Sequence, residues 1–110
     1  MPKFLVLYRS SVSATEQMAG ATPEQAQEGM AMWMRWAEKA GPAIVDFGSP
    51  VGGSQTLPTD GADTGVPVGG YSILQSDSAD DLKGLLADHP HLHSPGAVLE
   101  VLEVLPVPGM

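Results

Sequence analysis

Three alternating histidines, the only ones in the chain, form its densest group of side chains that could do chemistry. On an extended segment His89, His91 and His93 would point to one side, as the ligands of a metal ion do. Pro90 interrupts that alternation, however, and histidines at a helix end also interact favourably with its dipole. We therefore predict no metal site. Instead, His89 is a candidate catalytic base, with Asp88 available to orient a ring, and His91 is a candidate ligand-binding residue.

A single carboxylate, Asp46, interrupts an apolar segment that is predicted to be a strand. Strand alternation places it on the same face as Ile44. A carboxylate there either faces water at the edge of the sheet or is buried beside a partner, for which Arg9 is the candidate. Burial would raise its pKa and make it a general base near neutral pH. Such an ion pair also serves purely structural ends, so both interpretations stay open, and Asp46 joins His89 as a candidate catalytic residue.

Aromatic side chains supply most of the candidate ligand-binding residues. Tyr8 and Tyr71 carry hydroxyls that need a partner when buried and can hydrogen-bond a ligand. Trp33 belongs to a helical stripe that is typical of an ordinary core and also suits a pocket wall. With Arg9 and His91 these residues form the predicted ligand-binding set. The stripe comprises Ala26, Met30, Trp33, Met34, Trp36 and Ala37.

Size and composition limit the classes of protein to consider. The chain has 110 residues, enough for one domain (1–110) with one modest core, and 43% of them are hydrophobic, as in ordinary globular proteins. No apolar run reaches the roughly 18 residues of a membrane span, and the apolar start is too short for a signal peptide. There are no cysteines, so no disulfide or thiolate chemistry is expected. These features predict a cytoplasmic protein.

The charge balance excludes some partners. The chain has thirteen acidic and five basic residues, which gives a net charge of -8 at pH 7. Binding to phosphate backbones or to anionic membranes requires clustered lysines and arginines, and the sequence has no such cluster. We therefore predict no nucleic-acid partner and no membrane partner. No phosphate-binding glycine motif is present, and no cofactor is predicted.

Hydrophobic periodicity and cap residues predict the elements that would position these side chains. Thr22, Pro23 and Gln25 form a helix start, because threonine caps it, proline suits its first turn and glutamine completes a capping box. Gly41 ends that helix. The predicted elements are a strand at 3–9, a loop or short helix at 10–21, a helix from Pro23 to the cap at Gly41, a strand at 43–47, a long loop at 48–68, a strand at 70–75, a helix at 79–88 and a strand at 97–105.

This βαββαβ order predicts an α+β, ferredoxin-like fold. Two helices cover only one face of a four-stranded antiparallel sheet. Both faces of the first two strands nevertheless carry large apolar side chains, so the second face needs a partner. A second copy of the chain is the simplest partner. We therefore predict a homodimer that closes sheet to sheet.

Five short segments carry a family resemblance: KFLVLY (3–8), WMRWA (33–37), DFGSP (46–50), GGY (69–71) and EVLEVLP (100–106). With these segments, spread over nearly the whole chain, the sequence resembles the YCII-like proteins and their DGPF-related branch. The resemblance implies a dimeric α/β barrel of ferredoxin-like subunits. It does not imply one activity, because some relatives are lyases acting on small chlorinated or hydroxylated acids and others lie near sigma-factor genes.

The sequence departs from that family in two places. The DGPF stretch is replaced by TDGADTG at 59–65. The lyases of the family are thought to use a histidine–aspartate dyad with the histidine on the first helix, whereas the first helix here has methionines and tryptophans instead. An enzyme of this kind would need its base elsewhere.

The leading hypothesis is a small-molecule-binding protein with its ligand between the first helix and the sheet. Any reaction would be a proton transfer, such as an elimination or isomerisation, without an organic cofactor. Asp46 or His89 would be the base, with Tyr8, Arg9 and Tyr71 positioning the substrate. The alternative is a non-catalytic interaction module, for example a regulatory partner of a transcription factor, with an acidic surface against a basic one. A catalytic Asp46 and His89 should line one enclosed cavity.

Overall fold

The computed structural model describes residues 1–12, 14–53, 55, 57, 66–94 and 96–109. Two 3-10 turns, 41–43 and 90–93, follow the second and third helices. The predicted order is confirmed, with one short helix added before the long one, and the departure at 59–65 lies outside the described residues. The elements are β1 (Lys3–Arg9), α1 (Ala14–Gly20), α2 (Pro23–Ala40), β2 (Ile44–Pro50), β3 (Val68–Gln75), α3 (Ala79–Leu86) and β4 (Val98–Glu103).

The four strands form one antiparallel sheet in the order β2-β3-β1-β4. β1 is central and pairs Leu5 with Ile73 of β3 on one side and with Leu102 of β4 on the other. β2 lies at the far edge and pairs only with β3. This α+β arrangement is compatible with the predicted ferredoxin-like fold.

Alternation along the strands places the core between the sheet and the helices. In β1, Phe4 and Val6 are buried under the helices, whereas Leu5 and Leu7 on the other face are half-buried. Each large apolar side chain that is fully buried in this way contributes about 1.5–3 kcal/mol. The buried apolar residues are Phe4, Val6, Tyr8, Trp36, Ala40, Leu74, Leu82 and Leu86.

The ends of α2 form as the sequence predicts. Thr22 Oγ1 accepts a hydrogen bond from the Gln25 N–H at 3.1 Å, and Gln25 Oε1 accepts one from the Thr22 N–H at 3.0 Å. At the other end Gly41 adopts a positive φ of 53° and its N–H donates to the Ala37 carbonyl. In the part of the chain that the structure describes, no helix is long and apolar enough to cross a membrane.

The predicted core stripe of α2 is wrong in part. Trp36 and Ala40 are buried and Trp33 is half-buried, but Met30 and Met34 are 58% and 51% exposed. At about 100° per residue, these methionines lie roughly 120° and 160° around the helix from Trp36. A helix that packs on one flat sheet does not bury so wide a stripe.

Strand β2 differs most from its predicted form, since it runs on to residue 50. Ile44 pairs with Leu74, but Asp46 pairs with Ile73, with irregularities after each. Leu74 is buried under the helices and Ile73 points to the other face. The prediction that Ile44 and Asp46 share a face is therefore wrong, because a bulge adds a residue and shifts the alternation. The bounds of β3, α3 and β4 differ from prediction by one or two residues.

In the single chain, none of the described helices or loops covers the face of the sheet opposite the helices, which we call the uncovered face. The smallest dimension of the molecule is 20 Å, the thickness of one sheet and one helix layer. Half-buried and exposed apolar side chains alternate with the buried ones along the strands. The apolar residues of this uncovered face are Leu5, Leu7, Tyr71, Ile73, Val98 and Leu102.

Candidate functional site

Five rings from three elements meet between α2 and the sheet, and we call them the aromatic cluster. β1 contributes Tyr8, α2 contributes Trp33 and Trp36, and the turn after α3 contributes His89 and His91. The ring centroids of His89 lie 5.1 Å from Tyr8, 4.5 Å from Trp33 and 4.4 Å from Trp36. Four of the seven predicted site residues are thus together: Tyr8, Trp33, His89 and His91.

His89 is fully buried at the centre of the cluster. Its Nδ1 accepts a hydrogen bond of 3.0 Å from the main-chain N–H of His91, so the proton of the neutral ring is on Nε2. Burial, with a smaller contribution from nearby His91, lowers the pKa of His89 to about 4. The ring is therefore neutral at pH 7. Its Nε2 is a buried side-chain nitrogen with no hydrogen-bond partner among the described residues.

Tyr8 is buried beside His89, and their rings are stacked at an interplanar angle of 30°. Its hydroxyl donates to Ser72 Oγ at 2.7 Å. The Ser72 hydroxyl in turn donates to the main-chain oxygen of Phe47 at 2.6 Å. Burial raises the pKa of Tyr8 above its usual value, and the hydrogen bond with Ser72 opposes that rise.

The irregular part of β2 presents the Phe47 oxygen to Ser72. Gly48 has a φ of 84°, a region that L side chains rarely adopt, and an added Cβ would lie 1.7 Å from the main-chain oxygen of Tyr71. The Gly48 N–H donates to Asp46 Oδ1 at 2.9 Å. Only glycine fits this position, and Asp46 caps the bend from outside.

His91 fastens the turn after α3 to β1. Its Nε2 lies 2.8 Å from the main-chain oxygen of Arg9, and since a carbonyl only accepts, Nε2–H is the donor. The ring is half-buried, 5.4 Å from that of Tyr8. His93, by contrast, is exposed. The three histidines therefore do not converge on one point.

Arg9 does not pair with Asp46, so that prediction is wrong. Arg9 lies on β1, and β3 separates β1 from the edge strand β2, which carries Asp46. The Arg9 guanidinium instead forms an ion pair with Glu100 of β4 at 3.1 Å and donates to the Val66 oxygen at 2.6 Å. Its charge is therefore balanced within the sheet.

The other two predicted site residues also lie away from His89. Asp46 is exposed, and its pairing with Ile73 places it on the uncovered face. Tyr71 pairs with Leu7 on the same face and is half-buried. The expectation that Asp46 and His89 line one enclosed cavity is not met.

The sequence-based prediction missed Ser72, and it left Trp36 out of the ligand-binding set although Trp36 belongs to the same helical stripe as Trp33. A sequence signal for Ser72 did exist, because it occupies an inward position of a strand next to Leu74, where a lone hydroxyl needs a partner. No local signal shows that the carbonyl of Phe47 is that partner, since the bulge in β2 places it there.

Among the described residues, neither the surface grooves nor a cluster of metal-ligand side chains indicates a second candidate site. Two shallow grooves of about 280 and 510 Å³ lie at the start of α3 and beside α1, and neither is lined by the aromatic cluster. Within the described residues, no group of three or more His, Cys, Asp or Glu side chains is arranged to hold a metal ion. The aromatic cluster remains the candidate site.

Comparison with known proteins supports the fold. No protein-family model matches the chain, and no curated protein sequence matches it. A solved structure of 5-chloro-2-hydroxyhydroquinone dehydrochlorinase from Burkholderia phenoliruptrix AC1100, in complex with 2,5-dihydroxybenzoquinone, is similar with a TM-score of 0.51. The sequences are 20% identical, and the match covers 89% of this chain and 90% of that one. At this identity the likeness supports the α+β fold alone.

Proposed function

We propose that this chain is a YCII-like protein that binds a small planar organic molecule at the aromatic cluster. The observation that carries this proposal is the Nε2–H of His89, a buried donor without a partner among the described residues. Leaving such a group unpaired costs about 1–3 kcal/mol. A ligand oxygen that accepts this hydrogen bond would recover that free energy.

The surrounding rings favour a flat ligand. The Trp33 ring lies 4.5 Å from the buried ring of His89 and 6.1 Å from that of Phe47, which is 38% exposed, measured between centroids. The half-buried Trp33 thus links the buried ring to a partly exposed one. A planar ligand enters by displacing Trp33 or Phe47 and stacks on the rings that remain.

The similar enzyme supports this choice of ligand class. Its structure holds 2,5-dihydroxybenzoquinone, a small ring with several oxygen atoms. Such oxygens are suitable acceptors for the Nε2–H of His89. We take quinone-like and phenolic rings as the class of ligand to test.

Any reaction at this site is proposed to be a proton transfer, as in a lyase or isomerase, without an organic cofactor. A neutral His89 polarises a ligand oxygen through Nε2–H. Because the Nδ1 lone pair is engaged by the His91 N–H, His89 is not the base, and the proton that the ligand loses passes to water. Tyr8, Trp33 and His91 contact the ligand. A base at Asp46, with Arg9 and Tyr71, is a prediction for the uncovered face rather than for this cluster.

We also propose a cytoplasmic homodimer closed through the uncovered face. A contiguous exposed apolar patch, such as the six apolar side chains of the uncovered face, normally marks an interface. The Arg9–Glu100 ion pair in its midst is already internally balanced, so a second copy can cover it.

Titration calorimetry with 2,5-dihydroxybenzoquinone tests the binding proposal. We expect the wild type to bind and His89→Phe to bind about tenfold more weakly or worse, since one buried hydrogen bond is worth about 1.4 kcal/mol. His93→Ala is the matched control, because this exposed histidine of the same segment should leave the affinity unchanged. Equal binding by wild type and His89→Phe would contradict the proposal.

A second candidate is the non-catalytic interaction module, favoured by one flank of α2. Met30 and Met34 are neighbours on that flank and are exposed, and the chain as a whole carries a net charge of -8. Such a surface suits a basic amphipathic helix. Binding of a Lys/Leu amphipathic peptide that weakens with salt and is lost in Met34→Glu, but not in Met18→Glu, would support this candidate. Binding that is insensitive to Met34→Glu would exclude it.

A further inference from the structure

We infer that Ser72 is a positioning residue of the candidate site. Its Oγ accepts the proton of the Tyr8 hydroxyl, so Tyr8 can offer a ligand only a hydrogen-bond acceptor. His89, by contrast, offers a ligand a hydrogen-bond donor. This inference rests on the proposed function for its ligand, but not for its geometry.

The direction of the two hydrogen bonds follows from the group at their end, the main-chain carbonyl of Phe47. The Phe47 oxygen is a carbonyl and has no proton to donate, so the proton between it and Ser72 belongs to Ser72. The Ser72 oxygen, its only proton already used, must accept from Tyr8. At 2.7 and 2.6 Å, with Ser72 only 1% exposed, neither bond competes with solvent. The Tyr8 proton therefore points away from any ligand.

The position of the Phe47 carbonyl is built into β2. The bend at Gly48, which no other residue fits, turns this carbonyl toward β3 instead of leaving it at the edge of the sheet. The Asp46 carboxylate holds the bend through the Gly48 N–H. Asp46 thus acts on the aromatic cluster through the main chain, from the opposite face.

The polarity of His89 is fixed in the same manner. The His91 N–H donates to Nδ1, and this leaves the proton of the neutral ring on Nε2. Two neighbouring rings, stacked at 5.1 Å, therefore have their hydrogen-bond roles set by main-chain groups, one as acceptor and one as donor.

This polarity names the ligand class more closely. A complementary ligand carries an oxygen that accepts from His89 and a hydroxyl that donates to Tyr8, on one planar ring. Neutral phenols, hydroquinones and enols meet both requirements. A quinone without a hydroxyl meets only the first, and would leave the Tyr8 oxygen unpaired.

Proton NMR of the ligand-free protein at neutral pH tests the geometry. In the wild type we expect a slowly exchanging Tyr8 hydroxyl proton with a cross-peak to the Ser72 β protons. In Ser72→Ala this resonance should shift or disappear, because the oxygen that accepts the Tyr8 proton is gone.

The wild-type cross-peak needs no variant to fold, so the test does not depend on Ser72→Ala being stable. Absence of that cross-peak, or a Tyr8 hydroxyl resonance unchanged in Ser72→Ala, would overturn the inference. A purely structural role for Ser72 would alter stability without moving the Tyr8 hydroxyl resonance.

Hydroquinone and 1,4-benzoquinone, which share one shape, test the ligand polarity. The chain has no cysteine to react with the quinone. The wild type should prefer hydroquinone, and Ser72→Ala, which frees the Tyr8 proton, should lower that preference about three- to tenfold. An unchanged preference would overturn the inference. If neither compound binds the wild type, the proposed function fails, while the NMR measurement still decides the role of Ser72.

Discussion

His89 combines two properties that rarely occur together in one side chain. It is fully buried, and one of its two nitrogens has no partner in the described part of the chain. A buried unsatisfied donor destabilises the folded state, so sequences that are selected for stability alone tend to lose it. The aromatic rings around it, and the main-chain bond to its Nδ1, hold it in one tautomer. These features favour a ligand-binding role.

The lowered pKa of His89 predicts a pH dependence of stability. The unfolded ring titrates near 6.5 and the folded ring near 4, so between these values the unfolded chain binds a proton that the folded chain does not. The free energy of unfolding should therefore fall as the pH is lowered from 6.5 to 4, by up to about 3 kcal/mol from this residue. In His89→Phe this part of the decrease should be absent.

Urea denaturation of both proteins at several pH values measures this difference. The two proteins differ in no other titratable group, so the difference between their pH profiles reports His89. Parallel pH profiles for the wild type and His89→Phe would show that the ring is not buried in solution.

Two substitutions of Asp46 separate a catalytic role from a structural one. Asp46→Asn keeps an oxygen that can accept from the Gly48 N–H, whereas Asp46→Ala removes it. If Asp46 only caps the bend, Asp46→Asn should retain ligand affinity and stability. Asp46→Ala should then lower the free energy of unfolding by about 1 kcal/mol. Calorimetry and urea denaturation measure both quantities. Loss of function in Asp46→Asn with unchanged stability would instead establish the carboxylate as a base.

The candidate site was only partly predictable from residue types. Tyr8, Trp33, His89 and His91 were chosen because aromatic and titratable side chains do chemistry, and they lie together because alternation and turn position brought them there. The partner of Arg9 was mispredicted, since strand order is a long-range property that adjacent segments do not encode.

Strand β2 contains a local irregularity that affects side chains on both faces of the sheet. Its bulge reverses the alternation between Ile44 and Asp46, and it turns the Phe47 carbonyl toward the buried Ser72. Bulges of this kind re-aim groups next to functional sites. The sequence indicated the element but not the bulge, because one glycine in a strand is compatible with several backbone paths.

The caps of α2 are the opposite case. Thr22, Pro23 and Gln25 interact within one turn at the start of α2, and Gly41 acts on the last turn at its other end. Local physics was therefore sufficient to place both ends correctly. The packing of the same helix was not local. Which flank faces the sheet depends on where α2 crosses the strands, and the exposed Met30 followed from that.

Gly48→Ala should disrupt β2 far more than a comparable change nearby. The added Cβ would meet the Tyr71 oxygen at 1.7 Å, so we expect a loss of roughly 3 kcal/mol or more in the free energy of unfolding, or failure to fold. Gly53→Ala is the matched control. Its φ of 67° is also positive, but nothing lies within 4 Å of the added Cβ, so it should cost only about 1–2 kcal/mol. Equal losses in urea denaturation would argue against the bend.

At the scale of the whole molecule, the helices of the described part of the chain all lie on one face of the sheet. The uncovered face was predictable, because two helices can cover only one face of a four-stranded sheet. Its apolar character was readable from the near-continuous hydrophobic run of β1. What covers it is a matter of association between chains.

A charge on the uncovered face should abolish the proposed dimer. Leu102 is 44% exposed in the single chain, so Leu102→Lys is tolerated by a monomer but would bury an unpaired charge in a sheet-to-sheet interface. Light scattering after gel filtration should give twice 11.4 kDa for the wild type and 11.4 kDa for the variant. Met18→Lys, on the exposed side of α1, should stay dimeric. A monomeric wild type would contradict the dimer.

Adjacent residues of β1 serve the two faces of the sheet. Tyr8 points into the aromatic cluster, Arg9 points to the uncovered face, and His91 holds the peptide oxygen of Arg9. A ligand that shifts Tyr8 by a fraction of an ångström therefore also moves the anchor of the Arg9–Glu100 pair. Binding and self-association become thermodynamically linked, and linkage is reciprocal. Ligand affinity should then vary with protein concentration across the dissociation range of the dimer, and the two copies should respond cooperatively.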